Sequence, residues 1–289
     1  MTTRVRSRPA VHRRPVVLSI AGSDSSAGAG AQADLKTFSY FGCYGLTAVT
    51  CVVAEVPGKV STIQAMHPEI VADQISLSFS AFPVAAAKTG MLFSSAIVEA
   101  VADALAGRGT RLVVDPVMVA SSGDSLLRKS AINAYRKILF PLAAVVTPNL
   151  DELRILARRD IRSLEEVKDA GKFLVNEYGC AFLLKGGHLH GKTAVDVLAT
   201  GDGLEEFAAP FVAGIATHGT GCTFSAATAA GLALGKSLRE AVSAAKSYVT
   251  QSIAQSLCWG KTHALEHFPA EKGVFTPAQR RARVSRRAA

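Results

Sequence analysis

The 289-residue chain contains no run of eighteen apolar residues, so no segment qualifies as a membrane-spanning helix. It has no Cys-x-x-Cys pair. Its five cysteines (Cys43, Cys51, Cys180, Cys222 and Cys258) are odd in number, and their spacings match neither a zinc site nor a disulfide framework. That usage points to a reducing, cytoplasmic compartment. Tryptophan occurs once, at Trp259, where packing explains it. The seven histidines do not gather into a metal site: His188 and His190 share a loop, and His263 and His267 lack a third ligand, so solvated or capping roles are expected. Acidic residues are absent from both ends. Residues 1–15 and 276–289 each carry five arginines and no acid, which leaves 22 basic and 23 acidic residues between them. The net charge of +9 therefore belongs to two tails that read as solvated and disordered, and the body from 16 to 275 is close to neutral. This charge distribution weighs against nucleic acid as the main partner, although the tails keep that alternative open.

What is present is apolar material for a sizeable core, 49% of residues. It is arranged in alternation. Val16–Ala21, Leu46–Ala54, Ala85–Lys88, Arg111–Val114, Ala144–Thr147 and Ala181–Lys185 read as strands, and Ala194–Ala199 pairs with Glu206–Phe211 as a hairpin. Helices are expected over Ala31–Phe41, Pro68–Phe79, Ser94–Ala106, Leu126–Ile138, Leu150–Ala157, Leu164–Glu177, from about Thr223, and over Leu238–Gln255. Buried apolar strands alternating with helices imply an α/β fold with a mostly parallel sheet covered on both faces, and no linker divides residues 16–275.

In such sheets ligands bind at the carboxyl ends of the strands. Here those ends carry Asp24, Glu55, Lys88, Asp115, Asn149, Lys185 and the glycine loop Gly219-Thr220-Gly221. Glycines before a helix let backbone N–H groups close on an anion, with the helix dipole behind them, although such a loop also serves simply to pack a helix on a sheet. Cys222 follows the loop. A helix N-terminus lowers a thiol's pKa, which would suit Cys222 to accept a proton, whereas the plainer alternative is a small buried hydrophobe. Asp115 and Glu152 suit a hard cation such as Mg²⁺ held with substrate phosphates, or Glu152 complements a helix dipole. Lys185 is placed to reach a nucleotide phosphate, or is a surface lysine at a strand end.

Taken together, the segments Ala21-Gly22-Ser23-Asp24-Ser25-Ser26-Ala27-Gly28-Ala29-Gly30, Lys88-Thr89-Gly90-Met91-Leu92, Asp115-Pro116-Val117-Met118, Thr147-Pro148-Asn149-Leu150-Asp151-Glu152, Lys185-Gly186-Gly187-His188 and His218-Gly219-Thr220-Gly221-Cys222-Thr223 resemble, in order, the motifs of hydroxymethylpyrimidine/phosphomethylpyrimidine kinases. The resemblance runs over about residues 16–270. It implies a ribokinase-like three-layer αβα sandwich, and Mg²⁺-dependent transfer of phosphate from ATP to a pyrimidine in thiamine biosynthesis, by a homodimer. It also implies roles. Cys222 is the base at the acceptor, and Gly219, Thr220 and Gly221 form the anion hole. Gly22, Asp24, Ala29, Glu55, Met91 and Val117 line the pyrimidine pocket. Asp115 and Glu152 organise Mg²⁺, while Lys185, Asn149 and Thr217 meet the nucleotide.

Two departures stand out. Glu55 occupies the place of a family glutamine, which trades a side chain that donates and accepts for one that only accepts when ionised. This predicts a preference for the pyrimidine monophosphate over the free alcohol, or another ring such as pyridoxine or pyridoxal. The closing segment Trp259–Phe268 keeps only His267-Phe268 of the family's ending. A third reading is a non-catalytic regulator that binds nucleic acid through its tails.

Overall fold

A computed structural model describes residues 14–118, 129–187, 193–212 and 218–270, and the structural statements below concern those residues. Nine strands form one sheet: β1 (Val16–Asp24), β2 (Tyr44–Val56), β3 (Lys59–Ala65), β4 (Val84–Thr89), β5 (Arg111–Val114), β6 (Ala143–Val146), β7 (Ala181–Leu184), β8 (Thr193–Thr200) and β9 (Gly203–Pro210). Their order is β3-β2-β1-β4-β5-β6-β7-β8-β9. The block from β2 to β7 is parallel, and β3, β8 and β9 extend its edges antiparallel. The helices are α1 (Gly30–Tyr40), α2 (Pro68–Ala81), α3 (Ser95–Leu105), α4 (Lys129–Ala134), α5 (Leu150–Ala157), α6 (Leu164–Tyr178), α7 (Thr220–Ala233) and α8 (Leu238–Ala254). None is long and apolar enough to cross a membrane.

The layering follows from the two-residue period of a strand. Leu18, Ile20, Val114, Val146 and Leu184 face the layer of α2, α3, α5 and α6. Their neighbours Val17, Val113, Val145 and Leu183 face α1, α7 and α8. Strands covered on both faces must be apolar on both, which is why they read as continuous runs. Helix α7 is buried all round from Thr223 to Leu232, as its small residues permit. A Cβ on Gly231 would stand 2.8 Å from that of Ala241, so α8 sits against α7 at a distance only glycine allows.

The structure corrects several expectations. Strand β3 falls in a stretch read as neither helix nor strand, and β2 runs on through Glu55 to Val56. The helix expected over Leu126–Ile138 is a short α4 followed by a π turn over Tyr135–Leu139 and a 3₁₀ turn over Phe140–Leu142, and residues 126–128 lie outside the described residues. Trp259 is not a packing residue: it is 62% exposed on a small hairpin of β10 (Leu257–Trp259) and β11 (Thr262–Ala264). Residues 1–13 of the N-terminal tail, residues 271–289 and the pair His188/His190 lie outside the described residues.

His267 is not solvated either. It is buried, with Nε2 3.3 Å from Thr223 Oγ1 in the first turn of α7, and its carbonyl accepts from the Tyr248 hydroxyl at 2.9 Å. Burial pushes its pKa down from 6.5 to about 4, so the folded protein holds it neutral. The unfolded chain then binds the extra proton first. The stabilisation is complete above pH 6.5 and is lost as pH falls toward about 4. Its full size is roughly 3 kcal/mol. Thermal melts across this window should show a steeper acid loss in the unsubstituted protein than in His267→Gln. Parallel curves would show that His267 carries none of it.

Candidate active site

The carboxyl ends of β1, β4, β5, β6 and β7 converge on one rim, where α7 begins. Asp115, just past β5, is buried and fully engaged. Its Oδ1 accepts from Lys185 Nζ at 2.9 Å and Thr147 Oγ1 at 3.2 Å, and its Oδ2 accepts from Ser225 Oγ at 3.1 Å. Burial alone would raise its pKa, but the Lys185 and Lys88 ammoniums outweigh burial and keep it ionised. Glu152 stands three residues into a capping box. Asn149 Oδ1 accepts the Glu152 amide at 2.9 Å, and Glu152 Oε2 accepts the Asn149 amide at 2.8 Å. Its other oxygen accepts from the Met118 amide at 3.3 Å. Glu152 is thus a capping carboxylate at the start of α5, as one of the two sequence readings had it. Burial lifts Glu152 to about 7, helped by Asp115 and opposed by Lys185.

Lys185 is no surface lysine. It is bridged in parallel to Asn149, ion-paired to Asp115, and lies 3.1 Å from where a Gly221 Cβ would be. The glycine loop therefore rests directly against an ammonium. Gly219 caps α7 in the left-handed region, φ 82°, and a Cβ there would stand 1.8 Å from the Gly28 carbonyl oxygen. The loop after β1 and the loop before α7 are interlocked at that point. Thr220 opens α7, and its hydroxyl is buried without a partner, as is Thr89 Oγ1 at the end of β4.

Helix α7 starts at Thr220 rather than Thr223, which places Cys222 inside its first turn. The lowered thiol pKa expected there is not found. Burial pushes Cys222 up to about 11, against the Lys88 ammonium and the Gly30 amide, which favour the thiolate. Desolvation of a thiolate outweighs the helix terminus.

On the other side of the glycine loop, Asp24 ends β1. Its oxygens accept from the amides of Ser26 at 2.7 Å, Ala29 at 2.7 Å and Gly28 at 3.2 Å, and pair with His218 Nε2 at 3.0 Å. Burial would raise its pKa, but His218, Ser26 and the Ala29 amide together hold it at about 2. Glu55 is latched through its backbone: Ser25 Oγ donates to its carbonyl at 2.6 Å and accepts from its amide at 2.8 Å. Its carboxyl is raised by burial and by Asp24. Ligand atoms of Asp24, Glu55 and His218 lie within 4.8 Å of one another. Gly22 lies against Cys51 and Met91, a Cβ on it reaching to 2.6 Å of Cys51 Sγ and 3.9 Å of the Met91 Cβ. The structure thus brings Gly22, Asp24, Ala29, Glu55 and Met91 together. Val117 lies with the acidic pair, its amide donating to the Asp115 carbonyl at 2.9 Å. Thr217 lies outside the described residues.

Two engaged groups escaped selection: His218, which clamps Asp24, and Asp34, the fully buried partner of the strand-end Lys88. A lysine closing the apolar strand Ala85-Ala86-Ala87-Lys88 was the available signal, because lysine is almost never fully buried without a partner. Conversely, Gly186, Gly191, Lys192 and Thr193 satisfy the phosphate-loop spacing as a string. That motif needs a helix after it, and here strand β8 follows.

Comparison with known proteins identifies relatives of this chain. The phosphomethylpyrimidine kinase family matches residues 24–267. A hydroxymethylpyrimidine/phosphomethylpyrimidine kinase of Rhizobium meliloti is 47% identical over 240 residues, covering 83% of this chain and 90% of that protein. A thiamine biosynthesis bifunctional protein, ThiED, of Geobacter sulfurreducens is 42% identical over 270 residues; the match covers 93% of this chain and spans 55% of that longer protein. Among solved structures, the ADP complex of a Bacillus subtilis pyridoxal kinase superposes with a TM-score of 0.82 at 35% identity, over 89% of this chain and 98% of that one. The ribokinase-like architecture expected from the motifs is the one found.

Proposed function

The chain belongs to the phosphomethylpyrimidine kinase family, and from that membership we propose that it transfers the γ-phosphoryl group of ATP to 4-amino-5-hydroxymethyl-2-methylpyrimidine monophosphate, forming the diphosphate used in thiamine biosynthesis. The observation that carries this reading is the glycine loop Gly219–Gly221. It opens α7 beside Lys185, has an unpartnered Thr220 hydroxyl, and is interlocked with the loop that Asp24 organises. A phosphate seated on these amides has its donors already aimed and a cation alongside.

In this reading Lys185, Asn149 and Thr217 meet the nucleotide, and Gly22, Asp24, Ala29, Glu55, Met91 and Val117 surround the pyrimidine. The acceptor oxygen attacks the γ-phosphorus in line and ADP leaves, with Lys185 and the loop amides taking up the charge on the phosphate oxygens. Asp24 acts through its loop, because its oxygens are spent on amides and His218. The donor set of Asp115 and Glu152 fits Mg²⁺: both offer oxygen, each Glu152 oxygen accepts a single amide among the described residues and so keeps a lone pair, and the burial that, with Asp115, lifts Glu152 to about 7 is a cost a divalent cation relieves. When bound, Mg²⁺ supplies charge neutralisation for the phosphates.

Two features favour the monophosphate as acceptor. A phosphate is already ionised at neutral pH and needs no base, whereas Cys222, pushed up to about 11, is almost wholly protonated there and so rarely available as one. Glu55, ionised, has no donor for a ring nitrogen, and a missing buried donor costs about 1–3 kcal/mol. Glu55→Gln should therefore raise kcat/KM for the free alcohol by about 5- to 150-fold, with a smaller change for the monophosphate. An unchanged ratio of the two would remove Glu55 from selectivity. A second reading, pyridoxine or pyridoxal as acceptor, is favoured by the likeness to the pyridoxal kinase.

The deciding experiment measures ATP consumption with Mg²⁺ on the alcohol, its monophosphate and pyridoxine at matched concentrations. Turnover of the monophosphate alone supports the first reading. Turnover of pyridoxine alone supports the second. Turnover of none of the three would refute both and return attention to a regulator acting through its arginine tails.

A further inference from the structure

The ladder between β7 and β8 runs to Leu184, opposite Val197. Past that rung the backbone bonds change partners. The Lys185 amide donates to the Pro148 carbonyl at 3.0 Å, on the β6 side. The Gly186 amide turns the other way and donates to a side chain, Asp196 Oδ1 on β8, at 3.0 Å. Asp196 Oδ2 in turn accepts from Lys246 Nζ on α8 at 2.7 Å. The stretch that carries Lys185 is therefore gripped from both flanks, by a carbonyl on one side and by a carboxylate on the other.

The two-residue period brings these groups to one face. Lys185 continues the face of Leu183, and Asp196 shares the face of Leu198; both leucines pack in the layer of α1, α7 and α8. That is the layer in which the glycine loop opens, with Lys185 Nζ 3.1 Å from where a Gly221 Cβ would be. Only 5% of the Asp196 side chain and 12% of the Lys246 side chain are exposed. A buried ion pair contributes little net stability, and apolar residues of the same volume commonly fill such a site as well or better. What apolar residues cannot supply is an acceptor for the buried Gly186 amide, which would be left unpaired. Lys246 holds one oxygen of the carboxylate, so the other stays aimed at that amide.

We propose that Asp196, braced by Lys246, is a positioning residue for the nucleotide: by holding the Gly186 amide it fixes the backbone that presents Lys185 to the phosphates, and so governs affinity for a nucleoside di- or triphosphate. The proposal rests on the reading of Lys185 as the cation at the nucleotide.

The test is the affinity of the full chain for ADP in excess Mg²⁺, measured by titration calorimetry, with Tm alongside. Asp196→Leu combined with Lys246→Met replaces the pair by apolar side chains. This apolar variant should keep Tm close to that of the unsubstituted protein. It should nevertheless raise the Kd for ADP about tenfold, the loss of one hydrogen bond to a charged group. In turnover, KM for ATP should rise while KM for the acceptor stays put. Asp196→Asn combined with Lys246→Met returns an oxygen to the Gly186 amide and should bring Kd most of the way back. Placed on Lys185→Met, the apolar replacement should weaken ADP no further, because its effect passes through that ammonium.

Lys185→Met that binds ADP as tightly as the unsubstituted protein overturns the nucleotide reading, and the proposal with it. Weakened ADP in Lys185→Met but not in the apolar variant overturns the proposal alone. So does a full additional loss on Lys185→Met, or an asparagine variant as weak as the apolar one. If the apolar variant does not fold, Asp196→Ser combined with Lys246→Met decides in its place, since the shorter side chain falls short of the amide. A Kd well above that of the asparagine variant supports the proposal, and an equal one overturns it.

Discussion

Gly219→Ala is expected to lose at least about a hundredfold in kcat, on the scale of removing an oxyanion donor. Two separate effects meet at this position. The left-handed backbone, φ 82°, strains any residue with a Cβ by about 1–3 kcal/mol. The second effect is overlap: the new atom would stand 1.8 Å from the Gly28 carbonyl oxygen, which is backbone and has no rotamer to give. The loops must part, and the amides proposed to hold the phosphate move with them. Gly235 provides the control. It has the same φ of 82°, but a Cβ there would meet nothing within 4 Å. Gly235→Ala should show a modest fall in Tm and unchanged kcat. If Gly219→Ala keeps kcat within a few-fold of Gly235→Ala, the interlocked loops do not hold the transferred group.

Cys222→Ser separates the two acceptors. On the free alcohol, where a proton must leave the attacking oxygen, the loss should reach about 10²- to 10⁴-fold, the range of general base catalysis. On the monophosphate it should stay below about tenfold, because the attacking oxygen is already ionised. The thiol's position near 11 adds a signature in pH. Turnover of the alcohol should climb about tenfold per pH unit from neutrality toward that value, following the thiolate fraction, while turnover of the monophosphate does not. Equal losses on both acceptors would show that Cys222 positions without accepting a proton.

The parallel core of the fold was legible because its strands are apolar on both faces and announce themselves as runs: Val16–Ala21, Arg111–Val114 and Ala181–Lys185 need no pairing partner to be seen. Strand β3 was not legible by that signal. Lys59-Val60-Ser61-Thr62-Ile63-Gln64-Ala65 sits at an edge with both faces partly exposed, so no face had to be apolar. The signal that existed was Pro57-Gly58, a turn between two β-branched stretches, with Gly58 at φ 82°. The site was legible wherever a strand end carries a polar residue. What escaped was the pairing. Asp34 and Lys88 are 54 residues apart, and His218 finds Asp24 across 194, distances over which no local period carries information. The charge state of Cys222 was misjudged for a related reason. Its helix terminus is local and visible in the sequence, whereas the burial that overrides it is made by segments far along the chain.

The contact between His218 and Asp24 also sets a clock on biosynthesis. At roughly 5–20 residues per second, a ribosome needs about 10–40 s to travel from one residue to the other. Strand β1 and the loop after it are made first, yet Asp24 lacks its imidazole and Gly28 the loop that locks against it until more than two thirds of the chain has been made. A nascent chain halted before Gly219 has strands but lacks the loop proposed to cradle phosphate, so on that proposal nucleotide cannot help the early half fold. The parallel core must hold itself together unaided, and any stabilisation by ligand arrives only at the end of synthesis.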